Sequence, residues 1–475
     1  MVKVVKLGGD ANSTAELVER SADFVLSDKG RRVVVTSGPG KRKNDVYKLT
    51  QLLFRASKKA KIDLRKTIDG EVKQRFLDIL DPLGISFSLI ETQFSHIYHV
   101  LHMYDPNNPN HADELKFFGE RCQQYIVAEM LRKKGGKAVV MNPWDLGIIL
   151  DEFKGIMLFS PASYRFLREK FQTLGSDEIM VTAGFGGYDS NNRLRTLPFG
   201  GTDISASNIT RAIDAELCEN VKFVDGYANI DPNLAKGTSL EDHVVYYDYV
   251  SFDGATEASG AGADVIHAHA LRPCRKKGYR PEIPIRVCNI LKPDAPGTFI
   301  TDEHESKYKN PNKFITKKDG FYLVTVTDEN MIDASGYVAD ISAMLGSKNI
   351  PYDHISSSED SFTMAIHEDN FGGDESRLDT YKNEIEHQHH GAEVKYEPGY
   401  SMVVVVNRRT EKTPGLLAKS AAALGYAGIS IDFMTQAKEK AMRFGVVTSL
   451  AKDAVLEIAK EFYTNEQHLP DLPKE

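Results

Sequence analysis

Short apolar runs alternate with helical stripes through the first two-thirds of this chain. Residues 2–7 (VKVVKL) read as a strand that stops at Gly8-Gly9, and residues 33–36 (VVVT) as a second that stops at Ser37-Gly38-Pro39-Gly40. Between them Ser13, followed by Glu16, makes a capping-box signature for a helix reaching about Ser27. This rhythm of strand, glycine turn and helix predicts a mostly parallel sheet covered by helices. Residues 45–105 hold few β-branched clusters and predict helix, and 105–110 (DPNNPN) is a loop by its turn residues. A helix over 113–134, strands at 137–142 and 178–183, a helix over 204–217 and strands at 221–225 and 284–290 complete the pattern.

Beyond residue 300 the character changes. Residues 302–319 are rich in Lys, Asp, Glu and Asn and read as a linker. A weak internal repeat follows. Strand 321–327, helix 336–347 and strands 350–356 and 361–367 are echoed by strand 401–407, helix 414–426, strands 428–434 and 441–447 and helix 452–464. Each repeat is too thin to cover its own sheet, so pairing of the sheets, within or between chains, is expected. The expected organisation is an α/β domain over 1–303, its mostly parallel sheet sandwiched by helices. A linker over 304–319 and two α+β units over 320–395 and 396–475 follow.

Composition narrows the function. The chain has 475 residues, 41% hydrophobic and 27% charged, enough to bury several cores. A net charge of -8 argues against a nucleic-acid binder held by counterion release. Cys122, Cys218, Cys274 and Cys288 have no zinc or disulfide spacing and read as free thiols in a reducing compartment. Residues 1–10 lack a basic leader and apolar core, and no apolar run approaches a membrane span, so a cytoplasmic protein is expected. The histidine-rich stretch 386–390 (EHQHH) has no partner ligands at helical spacing and reads as a solvated loop or helix end.

Three glycine turns, at Gly8-Gly9, at Gly184 to Gly187 and at Gly200-Gly201, follow strand ends. Ligands of open α/β sheets bind at such edges, where glycine lets backbone N–H groups approach phosphate oxygens. There is no P-loop motif. Lys6, just before the first turn, is either a surface lysine or a cation that neutralises a transferring phosphoryl group. Thr202-Asp203 is either a helix cap or a site where Asp203 holds Mg²⁺. Glu120 is either a solvated helix carboxylate or a partner for a substrate ammonium.

Taken in order, K-L-G-G at 6–9, S-G-P-G-K-R at 37–42, F-G-E-R at 118–121, A-G-F-G-G at 183–187 and F-G-G-T-D at 199–203 resemble the motifs of the aspartokinases. The match continues through Asp231-Pro232, Gly262-Ala263, His267 and Gly297-Thr298, and residues 401–446 are similar to the second of that family's paired ACT domains. The resemblance implies the amino-acid kinase fold and transfer of phosphate from MgATP to the side-chain carboxylate of aspartate. It implies that Lys6 and Asp203 are catalytic, with Asp203 also facing Mg²⁺. Ser37, Glu120, Phe199 and Thr202 would contact the amino acid. Gly8, Gly9, Gly200, Gly201, Lys222 and Asp231 would shape the nucleotide site. An amino-acid effector would sit near Met331, Ser335, Ser357 and Ser358, and a homodimer or homotetramer would form through the ACT-like units.

This chain also departs from the family pattern. Phe199 stands where the family has a carboxylate-gripping arginine, Asp10 where it has Ser or Thr, Phe223 where it has Asp, Asn233 where it has Arg and Asp264 where it has Lys. Thr435 to Lys440 (TQAKEK) departs from a second effector motif. Lys222, Arg272, Arg275, Lys276 and Lys277 are the basic residues placed to restore charge to a polyphosphate. Three readings stay open: an aspartokinase, a kinase of this fold acting on another carboxylate, and a non-catalytic sensor or partner subunit.

Overall fold

The structure is a computed structural model that describes residues 1–43, 45–57, 61–105, 108–198, 200–263, 265–275, 281–302, 313–407, 414–437 and 441–464. These fall into two compact units. The first takes the described parts of Met1–Tyr227, Tyr246–Thr256 and Asp264–Lys307; the second takes those of Ala228–Val245, Glu257–Ala263 and Tyr308–Glu475.

The first unit opens with β1 (Lys3–Leu7), α1 (Ala15–Leu26) and β2 (Arg31–Thr36). A helical stretch follows: α2 (Leu49–Ser57), α3 (Lys61–Thr67), α4 (Lys73–Leu80), α5 (Glu91–His102) and α6 (Pro109–Lys133). Next come β3 (Lys137–Val140), a hairpin of β4 (Leu150–Phe153) and β5 (Ile156–Phe159), α7 (Pro161–Gln172) and β6 (Glu178–Ala183). A second hairpin, β7 (Gly186–Tyr188) and β8 (Leu194–Thr196), leads to α8 (Gly201–Ala212) and β9 (Leu217–Lys222). The chain then passes through α9 (Pro232–Ala235), which belongs to the second unit; β10 (Tyr249–Val250), α10 (Phe252–Gly260), whose last turn also belongs to the second unit, and α11 (Ala268–Leu271) lead to β11 (Ile285–Asn289) and β12 (Thr298–Ile300). The main sheet has the order β10-β12-β11-β9-β1-β2-β6-β3, and only the β11–β12 pair is antiparallel. Its inner strands are almost continuously buried, as expected of a sheet covered on both faces.

Three details differ from the sequence expectation. The cap of α1 is Thr14 rather than Ser13: Thr14 is extended and its Oγ1 accepts from the Leu17 N–H at 3.4 Å, while the Ser13 hydroxyl donates to the Asp10 carbonyl at 2.9 Å. Helix α8 starts and ends earlier than 204–217. The strand expected at 221–225 runs instead from Leu217 to Lys222. Its polar Glu219 and Asn220 hide it from a hydrophobicity pattern. Glu219 is fully buried but accepts from Arg31 Nε at 2.7 Å, Arg31 Nη2 at 3.1 Å and Arg286 Nη1 at 3.0 Å.

The second unit contains β13 (Lys313–Thr327), α12 (Tyr337–Ser347), β14 (His354–Ser357), β15 (Ser361–His367), α13 (Ser376–Gln388), β16 (Glu393–Asn407), α14 (Leu416–Tyr426), β17 (Phe433–Ala437), β18 (Ala441–Val447) and α15 (Ala451–Tyr463). One six-stranded sheet has the order β14-β15-β13-β16-β18-β17. Strands β13 and β16 are each 15 residues long and antiparallel. Phe321–Thr327 pairs with β15, whereas Lys313–Lys318 pairs with Asn407–Met402, the half of β16 that also pairs with β18. The first repeat is therefore inserted in the chain between the second repeat's first strand, residues 313–318, and the strand paired with it, residues 402–407. Residues 313–319, expected as linker, are part of β13, and Phe314, Ile315 and Thr316 are buried. The flanking lysines disguised this segment. Residues 228–245 add Ile230, Ala235 and Leu240 to the core of the second repeat.

Replacing one partner of a buried ion network leaves uncompensated charge, at a cost of about 3–5 kcal/mol. Glu219→Ala is expected to lower the free energy of unfolding by that order, read as an earlier midpoint of chemical unfolding, because Arg31 would lose its carboxylate in the middle of the sheet. An unchanged midpoint would show that water or repacking compensates the guanidinium groups.

Candidate active site

The carboxyl ends of β1, β2 and β6 and the start of α8 surround a cleft of about 560 Å³. Hydrogen bonds stagger the turns: Gly8 N–H donates to Val221 O at 2.9 Å, Ser37 N–H to Leu7 O at 3.1 Å, and Gly184 N–H to Thr36 O at 3.0 Å. The cleft is lined by Lys6, Gly8, Gly9, Ser37, Glu120, Gly200, Gly201, Thr202, Asp203 and Lys222, all expected from sequence.

Lys6 is a buried residue of an inner strand, not a surface lysine. Its Nζ lies 2.6 Å from Asp203 Oδ1, and Lys222 Nζ lies 3.4 Å from Asp203 Oδ2. Burial pushes the Asp203 carboxyl up, but the charges of Lys222 and Lys6, with hydrogen bonds from Lys6 and Asn220, prevail and hold it below the ordinary carboxylate range. Burial lowers Lys6; Asp203 opposes this, and Lys222 and Lys48 add to it. Two ammonium groups on one carboxylate leave a net positive cluster on the floor of the cleft.

Glu120 sits mid-helix on α6 and is 5% exposed, so it is not a solvated carboxylate. A Cβ at Gly38 would lie 3.1 Å from both Gly119 Cα and Glu120 Oε2, so glycine at 38 and at 119 lets α6 press against the β2 turn. Burial pushes Glu120 up to about 7, against a backbone N–H from Gly38, and its Oε2 has no hydrogen-bond partner among the described residues. Gly200 caps α8 at φ +78°, and a Cβ there would fall 2.5 Å from His267 Cβ. Only glycine fits that left-handed, crowded position.

Other expected residues are not among the described lining of the cleft. Asp231 belongs to the second unit, where its Oδ1 caps α9 by accepting from Asn233 N–H at 2.8 Å. Phe199, Asp264, Lys276 and Lys277 lie outside the described residues. Arg272 and Arg275 line a separate pocket of about 210 Å³, and Arg275 pairs with Asp253 at 2.9 Å. Met331 packs on the core of the first repeat, while Ser335, Ser357 and Ser358 are exposed in the turn before α12, at the end of β14 and in the turn after it. Asp10 lines the cleft and accepts from Lys41 N–H at 3.3 Å. Sequence reading did not assign Lys48, Thr50, Gln51 and Phe185 to the site; all four line the cleft. Phe185 stands inside the glycine turn at Gly184 to Gly187 with φ +71°, a strained position for an aromatic residue.

Glycine turns converging on the buried Lys6 and the half-buried Lys222 at a parallel-sheet edge define a class: an α/β protein with an anion-handling site where the strands end. The profile of the amino acid kinase family matches residues 1–289, and the chain belongs to that family. Aspartokinase 3 of Bacillus subtilis (strain 168) is 26% identical over 464 residues, covering 97% of this chain and 99% of the relative. The fold is that of the crystal structure of E. coli aspartokinase III in complex with aspartate and ADP (R-state), with TM-score 0.81, 22% identity and coverage of 98% and 100%. It is also that of Clostridium acetobutylicum aspartate kinase, with TM-score 0.73, 24% identity and coverage of 97% and 100%.

The Glu120 carboxyl has a thermodynamic consequence. A raised pKa means the folded chain binds the proton more tightly than the unfolded chain, so stability falls as pH climbs from about 4.5 to about 7. At 1.36 kcal/mol per unit the loss is roughly 3 kcal/mol. Glu120→Gln carries no such proton, so its stability relative to wild type is expected to improve between pH 5 and pH 8 by up to that amount, read by urea unfolding. A pH-independent difference would mean that Glu120 is ionised when buried.

Proposed function

We propose that this protein transfers the γ-phosphoryl group of ATP to the side-chain carboxylate of an amino acid, with L-aspartate as substrate and 4-phospho-L-aspartate as product. The observation that carries this reading is that Lys6, Asp203 and Lys222 form one charged cluster in the same cleft as the buried Glu120. Glycine at position 8 suits polyphosphate, because a Cβ there would stand 3.5 Å from Lys6 Nζ and so crowd the ammonium group an anion must reach. Asp203 would hold Mg²⁺, which supplies charge neutralisation between the phosphates. Lys6 and Lys222 neutralise the transferring group, and the N-terminus of α8 adds a partial positive charge. Glu120, ionised, holds the substrate ammonium; Ser37 and Thr202 orient the acceptor. The substrate carboxylate attacks phosphorus directly and ADP leaves, so the protein positions and neutralises rather than forming a covalent intermediate.

The relatives support the choice of acceptor: one solved aspartokinase is described with aspartate and ADP, and another state of that E. coli enzyme with lysine and aspartate. On this reading the α+β repeats form the contacts of a homodimer or homotetramer and bind an amino-acid effector near Met331, Ser335, Ser357 and Ser358. No described helix is long and apolar enough to cross a membrane, and the reading places the enzyme in the cytoplasm. One observation favours a second acceptor: no arginine is among the described residues lining the cleft. A different amino-acid carboxylate is the alternative substrate. Retention of Lys6, Glu120 and Asp203 in one cleft weighs against a non-catalytic subunit.

The test is MgATP titration by calorimetry followed by a coupled ADP-release assay with aspartate and a panel of amino-acid carboxylates. Aspartate-dependent ADP release is expected, falling about 10²–10³-fold in Lys6→Ala and in Asp203→Ala. Because the ammonium needs an ionised Glu120, kcat/KM for aspartate is expected to fall as pH drops below about 7. ATP binding with turnover of another carboxylate only would move the assignment to that substrate. Absence of MgATP binding at millimolar concentration would sink the kinase reading.

A further inference from the structure

Three ammonium groups line the cleft, and two of them, Lys6 and Lys222, are held by Asp203. The third is Lys48. Its side chain is exposed, and among the described residues it forms no ion pair with a carboxylate. It is the one lysine of the described lining that no carboxylate pairs.

Its backbone is anchored. Lys48 immediately precedes α2, where its N–H donates to Gln51 Oε1 at 3.3 Å and its carbonyl accepts from Leu52 N–H at 2.9 Å. The next residue, Leu49, is fully buried, donates its N–H to Pro39 O at 3.4 Å, and packs so closely on α6 that a Cβ at Gly119 would meet its Cδ2 at 3.1 Å. Gly119 directly precedes Glu120. Leu49 and Gly119 thus fix Lys48 and Glu120 at the same end of the cleft, beside the β2 turn. Thr50 and Gln51, in the first turn of α2, line it as well.

At that end Glu120 lines the cleft at 5% exposure, and its Oε2 has no hydrogen-bond partner among the described residues. An α-amino acid carries an ammonium and a carboxylate on one carbon. Seating the ammonium on Glu120 brings the α-carboxylate into the same end of the cleft, where a cation must meet it. We infer that Lys48 is the specificity-determining residue that pairs with the α-carboxylate, the one the reaction leaves unphosphorylated. This rests on the proposed function. It restricts the substrate class to amino acids with both a free α-carboxylate and a side-chain carboxylate.

The experiment compares L-aspartate with its α-amide, which keeps the ammonium and the side-chain carboxylate, in the full-length wild type, Lys48→Ala and Lys48→Arg. KM for each acceptor, KM for MgATP and kcat are measured. Loss of one charged contact is expected to raise the aspartate KM about 10- to 100-fold in Lys48→Ala, with most of the loss in KM rather than kcat. The preference of wild type for aspartate over the α-amide should collapse in Lys48→Ala and return in part in Lys48→Arg, while the MgATP KM stays constant. An unchanged aspartate KM would overturn the inference. So would a raised MgATP KM with the amide preference intact, which would assign Lys48 to the phosphates. A wild type that binds MgATP but does not turn over aspartate is a different result: it removes the proposed acceptor, and the inference with it, before any variant is compared.

Discussion

The cleft depends on two lysines meeting one carboxylate at the end of two neighbouring parallel strands. In the β1–β9 register Lys6 is opposite Asn220, so Lys6, Asn220 and, two residues on, Lys222 share one face of the sheet. Helix α8 delivers Asp203 to that face, and all three groups reach its carboxylate. Three charges in a buried setting are costly unless each is paired. Here the cluster retains one unit of positive charge, a compensation left for an anion. A slip of one residue between β1 and β9 would turn Lys222 to the opposite face and leave Lys6 and Asp203 as a neutral pair.

Glycine makes that arrangement sterically possible. The β1 and β2 turns crowd each other, the N-terminus of α8 crowds His267 and Phe185, and α6 crowds the β2 turn where Gly119 meets Gly38, all at distances that Cβ atoms would violate. Backbone N–H groups and helix ends therefore face the cleft without intervening side chains. The carboxylate on α6 is drawn into the same space with no ion-pair partner among the described residues, and burial raises its proton affinity. The cleft is thus asymmetric, cationic near Asp203 and acidic at Glu120. Such separated poles suit a ligand that carries phosphate at one end and ammonium at the other.

Much of this was legible in the sequence because glycine turns and apolar strands are local signals. Lys6, Glu120, Asp203 and Lys222 could be singled out by their place beside those turns. Lys48 could not: it lies in a polar segment, and only the packing of Leu49 on α6 shows that it faces the site. Strand β9 was misplaced because its middle is Glu-Asn, acceptable in a buried strand only when distant arginines complete the charge. Motif order alone points Asp231 toward the nucleotide, and its cap of α9 is a contact that motif order does not reveal.

The repeat was harder to read for a topological reason. Sequence order suggests two units joined end to end after a linker, yet the supposed linker supplies a strand of the second repeat. Strands β13 and β16 each cross from one repeat to the other without a break, with register shifts between Lys318 and Leu323 where the change occurs. The sheet of the second repeat closes only after the whole first repeat has been traversed, so its strands pair across some 80 residues of intervening chain, a non-local contact that forms slowly. Neither repeat can slide along its strands without moving the other, because β13 and β16 are common to both. A ligand that ordered the turn before α12 or the end of β14 would act on strands that the second repeat shares, which is the mechanical coupling a two-repeat sensor requires.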